Sequence, residues 1–180
     1  MRPAQPLLKS AFMNSTPDPN KTAEITFHSE DETIEFARLL SEQLVAGDTI
    51  LLSGPIGAGK SFLSRAIIQN RMLEHGAVED VPSPTFTLVQ TYVLGDVEFW
   101  HSDLYRLGDA YEIEELGLID AFDNAVSLVE WPDRLGTLTP ENAMFVELDV
   151  GSHEDERQAS FRWHDEKWTQ KIRTAIAGSE

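Results

Sequence analysis

The strongest indication of the fold of this chain is the segment Thr49-Ile-Leu-Leu-Ser-Gly-Pro-Ile-Gly-Ala-Gly-Lys-Ser61. Its first four residues are β-branched or apolar, which is typical of a strand buried in a parallel sheet. The next part, Gly54–Ser61, matches the phosphate-binding pattern G-x-x-x-x-G-K-[ST]. Glycines let backbone N–H groups point at a phosphate, and the N-terminus of a following helix adds partial positive charge. The segment therefore predicts an ATP site between a strand and a helix.

Within this loop, Lys60 is expected to contact the β- and γ-phosphates of ATP, and the Ser61 hydroxyl to ligate Mg²⁺. The loop residues assigned to nucleotide binding are Ile56, Gly57, Ala58, Gly59, Lys60 and Ser61.

The sequence on both sides of the loop predicts an α/β fold. A short strand at residues 25–28 precedes a helix that Ser29 and Glu32 begin with a capping box. A second helix follows the loop to about residue 72, and Gly95-Asp96 joins residues 86–94 and 97–100 in a hairpin. Later come an irregular helix (109–123), strands at about 125–129, 144–150 and 159–163, and a helix at 166–177. This order indicates a three-layer fold of the P-loop NTPase type, with a mixed parallel and antiparallel central sheet.

Composition narrows the classes of protein to consider. The chain has 180 residues, a length that fits one domain. We assign this domain to residues 24–180. Residues 1–23 are rich in Pro, Ser and Asn and are expected to form a disordered extension. It has 14 Lys and Arg against 31 Asp and Glu, a net charge of −17, which argues against binding nucleic acid unaided. The absence of cysteine excludes disulfides and thiolate metal sites. No apolar stretch approaches the roughly 20 residues that span a bilayer, so no membrane partner is expected.

A phosphate-binding loop needs a further carboxylate at a strand end to hold Mg²⁺. Asp103 follows the second hairpin strand, and Glu130 ends the apolar strand before Trp131. Pattern alone slightly favours Glu130, and either acid can instead be a solvated side chain.

Other polar and aromatic residues near these strand ends leave two interpretations each. Thr85 lies in a stiff Pro-containing loop, where its hydroxyl can bind the γ-phosphate or the attacking water, or merely begin a strand. Trp131 can cover the nucleotide or belong to the core. Arg106 can meet a phosphate, a partner or an acid, and His101 beside Asp103 is interpreted as having no acid–base role.

Four motifs occur together in this order: GPIGAGKS (54–61), SPTFTLV (83–89), HSDLYRL (101–107) and LVEWP (128–132). As a set they resemble the TsaE family, over about residues 25–145. The resemblance implies a cytoplasmic ATPase that works with two partners, TsaB and TsaD. It acts in forming N6-threonylcarbamoyladenosine at position 37 of tRNAs that read ANN codons. It implies that TsaD performs the transfer, that the complex contacts the tRNA, and that ATP hydrolysis resets the complex.

The resemblance also implies roles for individual residues. Lys60 matches the phosphate-binding lysine, Ser61 and Glu130 match the Mg²⁺ ligands, and Thr85 and Asp103 match the switch threonine and a required aspartate. Lys60, Thr85, Asp103 and Glu130 are thus the expected catalytic residues.

Two further positions complete the nucleotide site by resemblance, and two depart from the family pattern. Trp131 matches the tryptophan near the nucleotide, and Glu30 falls where the family contacts the nucleotide. Pro55 replaces a residue that is usually acidic and has no N–H to donate to phosphate, and Ser61 replaces the commoner threonine but keeps its hydroxyl.

Two other functions remain compatible with the loop. A small-molecule kinase usually needs a lid with several basic residues, but only isolated Arg106 and Arg134 occur between the helix after the loop and the C-terminal tail. A nucleotide-gated interaction protein with incidental hydrolysis is the other alternative.

Overall fold

The computed structural model describes Asp18, residues 21–77 and residues 79–179. Its strands are β1 (Thr22–Phe27), β2 (Thr49–Ser53), β3 (Val89–Leu94), β4 (Val97–Asp103), β5 (Val126–Glu130), β6 (Met144–Val150) and β7 (Arg157–Trp163). Its α-helices are α1 (Glu30–Ser41), α2 (Lys60–Glu74), α3 (Ala110–Glu115), α4 (Leu118–Asn124) and α5 (Lys167–Ser179), and a 3₁₀ segment covers Pro132–Leu138. None of these helices combines the length and the apolar character that a membrane span requires.

All seven strands form one sheet in the order β1-β7-β6-β2-β5-β4-β3. Strand β2 pairs in parallel with β5 and β6, and β4 pairs in parallel with β5. The other pairs, β1 with β7, β6 with β7 and β3 with β4, are antiparallel. This mixed sheet confirms the predicted fold class, and it brings the carboxyl ends of β2, β4 and β5 to one edge.

Helices cover both faces of the sheet because its central strands are apolar on both sides. Leu52 and Leu128 pack with α1, α2 and α5 on one face. Leu51 and Val129, adjacent in sequence to those residues, pack with α3, α4 and the 3₁₀ segment on the other. Each fully buried leucine contributes about 1.5–3 kcal/mol relative to an exposed one. The sheet is therefore the middle of three layers, which fixes the positions of its strand ends.

The N-terminal boundary and the first helix differ in detail from the sequence interpretation. The predicted extension, residues 1–23, falls outside the described residues except for Asp18 and residues 21–23. Thr22 and Ala23 belong to β1, where they pair with Arg162 and Phe161 of β7. The predicted capping box is half formed. The Ser29 hydroxyl accepts from the N–H of Glu32, but the Glu32 carboxylate accepts from the N–H of His28, one residue before the cap.

The hairpin strand begins later than predicted. Residues 84–87 form a turn, in which the N–H of Leu88 donates to the carbonyl oxygen of Pro84 at 2.7 Å. Leu88 has a φ of +66°, so extended structure starts only at Val89. The aromatic and β-branched composition of this segment predicted a strand, but the proline turn prevails locally. The turn places the Thr85 side chain beside the end of β4.

The irregular helix is two short helices separated at Gly117, whose φ of +81° ends α3. A capping box between Asp109 and Glu112 begins α3, a signal that the sequence interpretation did not use. The C-terminal helix α5 is tied to the loop before β2, since Lys167 and Lys171 both pair with the buried Asp48 carboxylate.

Candidate active site

The loop Gly54–Ser61 connects β2 to α2 and presses closely against the sheet. Gly54 has a φ of +130°, and a Cβ added there would overlap the carbonyl oxygen of Leu148 on β6. Gly57 and Gly59 also have positive φ, at +84° and +100°. Glycine accepts these conformations without a steric penalty. The glycine spacing therefore reflects the shape of the loop as well as the N–H groups that it presents.

Lys60 opens α2 and is only 5% exposed. Its Nζ donates to the carbonyl oxygens of Gly54 and Pro55 at 2.8 and 2.9 Å. Burial lowers the pKa of this ammonium group below its ordinary value, while the negative charges of Glu130 and Asp103 oppose that shift. The Lys60 side chain is thus largely shielded from solvent, and its interaction with an anion is stronger there than in bulk water.

The two strand-end carboxylates predicted from the sequence lie side by side. Asp103 ends β4 and Glu130 ends β5, and they are direct partners in the parallel register of these strands. Glu130 is 2% exposed, and its Oε2 accepts from the Ser61 hydroxyl at 2.8 Å. Its Oε1 lies 2.7 Å from Nε2 of His101. His101 therefore contacts Glu130, a long-range pair that the sequence interpretation missed.

Asp103 lies at the centre of a second group of polar contacts. Its Oδ1 accepts from the N–H of Tyr105 at 2.9 Å, and its Oδ2 accepts from the Thr85 hydroxyl at 3.3 Å. Thr85 Oγ1 is also 2.9 Å from the hydroxyl oxygen of Ser83. The loop between α2 and β3 is thereby attached to the end of β4, and Thr85 and Asp103 form one unit.

Trp131 places its indole ring against the Lys60 ammonium. Its φ of +59° is unusual for a residue other than glycine, and its N–H donates to the carbonyl oxygen of Leu52 at 3.1 Å. The Lys60 ammonium lies 4.2 Å from the centroid of the indole ring, and the Tyr105 ring lies 4.9 Å from it. A left-handed conformation of this kind costs about 1–3 kcal/mol, and such strain concentrates at functional sites. Trp131 is therefore placed at the site and does not belong to the core.

Lys60, Ser61, Thr85, Asp103, Tyr105, Glu130 and Trp131 all line one cavity of about 470 Å³, a volume typical of small-molecule sites. The cavity contains every residue that the sequence singled out for nucleotide binding or catalysis: Glu30, Ile56, Gly57, Ala58, Gly59, Lys60, Ser61, Thr85, Asp103, Glu130 and Trp131. Arg106 is not among its lining residues; its guanidinium lies 5.5 Å from the centroid of the Phe86 ring.

Several lining residues escaped the sequence interpretation. Arg157 is the first residue of β7, Asp155 lies in the turn before that strand, and Tyr105 follows β4. Arg157 lies between the two strands predicted at about 144–150 and 159–163, where no motif distinguishes a cavity-lining cation from a solvated one. The signal that could have found Tyr105 was its position two residues after the strand-end Asp103.

Oxygen ligands suited to Mg²⁺ occur at one point of the cavity, where the Ser61 hydroxyl meets the Glu130 carboxylate. Among residues 21–77 and 79–179, no group of three or more His, Asp or Glu side chains forms a cation site by itself. Mg²⁺ in nucleotide sites is commonly held by one or two protein oxygens together with phosphates and waters. The donor set of Ser61 and Glu130 fits such an ion.

Comparison with known proteins decides the family. Residues 27–159 match the model of the family described as "Threonylcarbamoyl adenosine biosynthesis protein TsaE". The chain belongs to the TsaE family. A relative from Rickettsia felis, named tRNA threonylcarbamoyladenosine biosynthesis protein TsaE, is 37% identical over 126 residues, 70% of this chain and 72% of its own length. A relative of the same name from Mycobacterium bovis is 34% identical over 142 residues, covering 74% of this chain and 82% of its own length.

The TsaE fold is also found in a solved structure. The crystal structure of Bacillus subtilis YdiB superposes with a TM-score of 0.71 and covers 89% of this chain and 97% of its own. The identity between the two is 22%, so this likeness concerns the fold alone.

Proposed function

We propose that this TsaE-family chain is an Mg²⁺-dependent ATPase that works in forming threonylcarbamoyladenosine at position 37 of tRNAs reading ANN codons. In this proposal, ATP hydrolysis resets a complex with TsaB and TsaD, in the cytoplasm, and TsaD performs the transfer. The observation that carries the ATPase assignment is the convergence of Lys60 and Ser61 with Glu130 and Asp103 in one cavity.

Phosphoryl transfer depends mainly on positioning and on neutralising charge, so the residues needed are few. The loop N–H groups and the Lys60 ammonium bind the phosphates, and Lys60 offsets the charge that develops on the transferred group. Ser61 and Glu130 are the residues that would hold Mg²⁺, which supplies charge neutralisation on the phosphate oxygens when bound.

In this proposal, Asp103 and Thr85 position the water that attacks the γ-phosphate. Asp103 accepts one hydrogen bond from a backbone N–H and one from Thr85, and an ionised carboxylate has about four acceptor positions. The remaining positions can accept from a water and orient it. Thr85 lies on the turn at residues 84–87. In this proposal its hydroxyl exchanges the hydrogen bond to Asp103 for one to the phosphate or to the water.

The net charge of this chain supports the proposal that its partners, TsaB and TsaD, bind the tRNA. Neutralising phosphates drives the affinity of most proteins for nucleic acids, and this chain has a net charge of −17. The names of its curated relatives connect the family to this tRNA modification.

The test is release of ADP and inorganic phosphate by the purified chain, measured with and without TsaB, TsaD and tRNA. We expect hydrolysis without any added phosphate acceptor, and a higher rate with the partners present. Phosphate transfer that requires a small-molecule acceptor would instead identify a kinase.

A pair of matched variants separates a reset role from incidental hydrolysis. Glu130→Ala should bind ATP, lose turnover and restrict tRNA modification to a single round. Glu141→Ala, which makes the same change at an exposed acid outside the cavity, serves as the control. If Glu130→Ala still supports many rounds of modification, hydrolysis does not reset the complex and the chain is a nucleotide-gated interaction protein.

A further inference from the structure

We propose that His101 is a positioning residue that orients the carboxylate of Glu130 for its partner Ser61. This inference rests on the proposed function, since it concerns how the cation-binding oxygens of that site are held.

The position of His101 is set by the sheet. His101 lies on β4 two residues before Asp103, and in the parallel register it pairs with Leu128, two residues before Glu130. Side chains two residues apart on a strand project from the same face. The imidazole is fully buried, and its Nε2 approaches Oε1 of Glu130 to 2.7 Å. Because the strand register fixes the backbone and the imidazole is fully buried, the ring has little freedom to leave the carboxylate.

The contacts of the ring indicate which nitrogen carries the proton. A carboxylate oxygen accepts, so Nε2–H donates to Glu130 Oε1. The other nitrogen, Nδ1, is buried without a hydrogen-bond partner among the residues that the structure describes. In a neutral ring Nδ1 is then a bare acceptor, whereas a buried N–H there would lose its hydrogen bonds to water. The geometry therefore points to the Nε2–H tautomer.

Glu130 is fixed at both of its oxygens as a result. His101 holds Oε1, and Oε2 faces the Ser61 hydroxyl at 2.8 Å. Lys60, whose ammonium is influenced by the charge of Glu130, has its own hydrogen bonds to loop carbonyls. Without the imidazole donor, the carboxylate would be free to rotate away from Ser61. Groups that hydrogen-bond metal-ligating side chains commonly change metal affinity when they are removed.

Two substitutions distinguish the effect of losing the hydrogen-bond donor from the effect of losing the volume of the imidazole ring. The amide nitrogen of His101→Gln falls near the position of Nε2 and can still donate to Glu130. The shorter side chain of His101→Asn places its amide near the position of Nδ1, out of reach of Oε1. Both variants put a polar amide in the same buried place, so a difference between them reports the hydrogen bond.

The experiment uses the full chain and three measurements. Binding of Mn²⁺ to the ADP-bound protein is followed by electron paramagnetic resonance of the free ion, and ADP affinity is measured separately in EDTA. Thermal unfolding checks that each variant is folded. We expect His101→Asn to weaken Mn²⁺ binding about 10- to 100-fold, with unchanged ADP affinity in EDTA. We expect His101→Gln to retain most of the Mn²⁺ affinity.

The tautomer is tested independently of any ligand, by ¹⁵N NMR of the histidine rings in the nucleotide-free protein. We expect Nε2 to carry the proton and Nδ1 to be bare. A proton on Nδ1 overturns the inference. So does wild-type Mn²⁺ affinity in folded His101→Asn, or an equal loss in both folded variants.

These outcomes are distinct from failure of the proposed function. If the wild type hydrolyses ATP but His101→Asn binds Mn²⁺ normally, the positioning role alone is wrong. If the wild type hydrolyses no ATP but the difference between the two variants persists, the ATPase assignment alone is wrong. An ADP complex of the wild type that takes up no Mn²⁺ contradicts both.

Discussion

Gly54 lies so close to β6 that its replacement by alanine should destabilise the fold. In Gly54→Ala, the new methyl group overlaps the carbonyl oxygen of Leu148 and lies 3.1 Å from its carbonyl carbon. Both are backbone atoms inside the sheet, so the loop or the strand must move. The φ of +130° adds strain for any residue with a Cβ.

The magnitude follows from these two contributions. Positive-φ strain costs about 1–3 kcal/mol, and overpacking against a rigid neighbour costs about another 1–3 kcal/mol. Gly57→Ala is the matched control, because Gly57 also has a positive φ, +84°, but an added Cβ meets no atom within 4 Å. That variant should lose only the strain contribution. Gly54→Ala should therefore be less stable than Gly57→Ala by about 1–3 kcal/mol.

Urea unfolding followed by circular dichroism measures the difference. The midpoint of Gly54→Ala should fall well below that of Gly57→Ala, with a similar dependence of the unfolding free energy on urea. Equal midpoints for the two variants would contradict this prediction, because they would show that the loop is not in tight contact with Leu148.

Three further predictions concern other parts of the chain. Lys60→Ala should lower the rate of ATP hydrolysis by about 10²- to 10³-fold, since a charge partner of the transferred phosphate is removed; an unchanged rate in a phosphate-release assay would contradict the site assignment. Asp103→Asn should leave ATP binding and thermal stability intact but reduce hydrolysis sharply, and a wild-type rate would reduce Asp103 to a structural role. Hydrogen bonding from the N–H of Ser152, followed by the contact with His28, lowers the pKa of Glu156 below its ordinary 4.5. The ionised carboxylate therefore stabilises the fold above that pH, and this stabilisation is lost as the pH falls through the folded-state pKa. Glu156→Gln should remove that part of the acid-range dependence of the unfolding free energy, and identical stability–pH curves would exclude the effect.

Much of the architecture could be predicted because its signals are local. The strand predicted at about residues 144–150 matches β6, and Gly95-Asp96 marked the turn between β3 and β4. The glycine, lysine and serine spacing located the loop between a strand and a helix. Residues at strand ends were good candidates for the site, because parallel strands end at a common edge.

What could not be predicted depends on contacts between distant parts of the chain. His101 was predicted to have no acid–base role, and nothing in the sequence indicates its contact with Glu130, which arises from the strand register. The turn at residues 84–87 replaced a predicted strand, because a hydrogen bond from Leu88 to Pro84 outweighs the β-propensity of the segment. The position of Arg157 in the cavity likewise follows from the pairing of β7 with β6 and β1.

The parallel pairing of β4 with β5 limits which parts of the site can move. Adjacent strands lie about 4.8 Å apart, and Asp103 and Glu130 are direct partners in the register. We therefore expect the backbone spacing between these two residues to be the same with and without a bound nucleotide. Thr85 and Trp131 lie instead outside the sheet, on connections that contain the positive-φ residues Leu88 and Trp131. We expect the two acids to keep their positions when a nucleotide binds or leaves. Any movement of the site should then occur in the connections that contain Thr85 and Trp131.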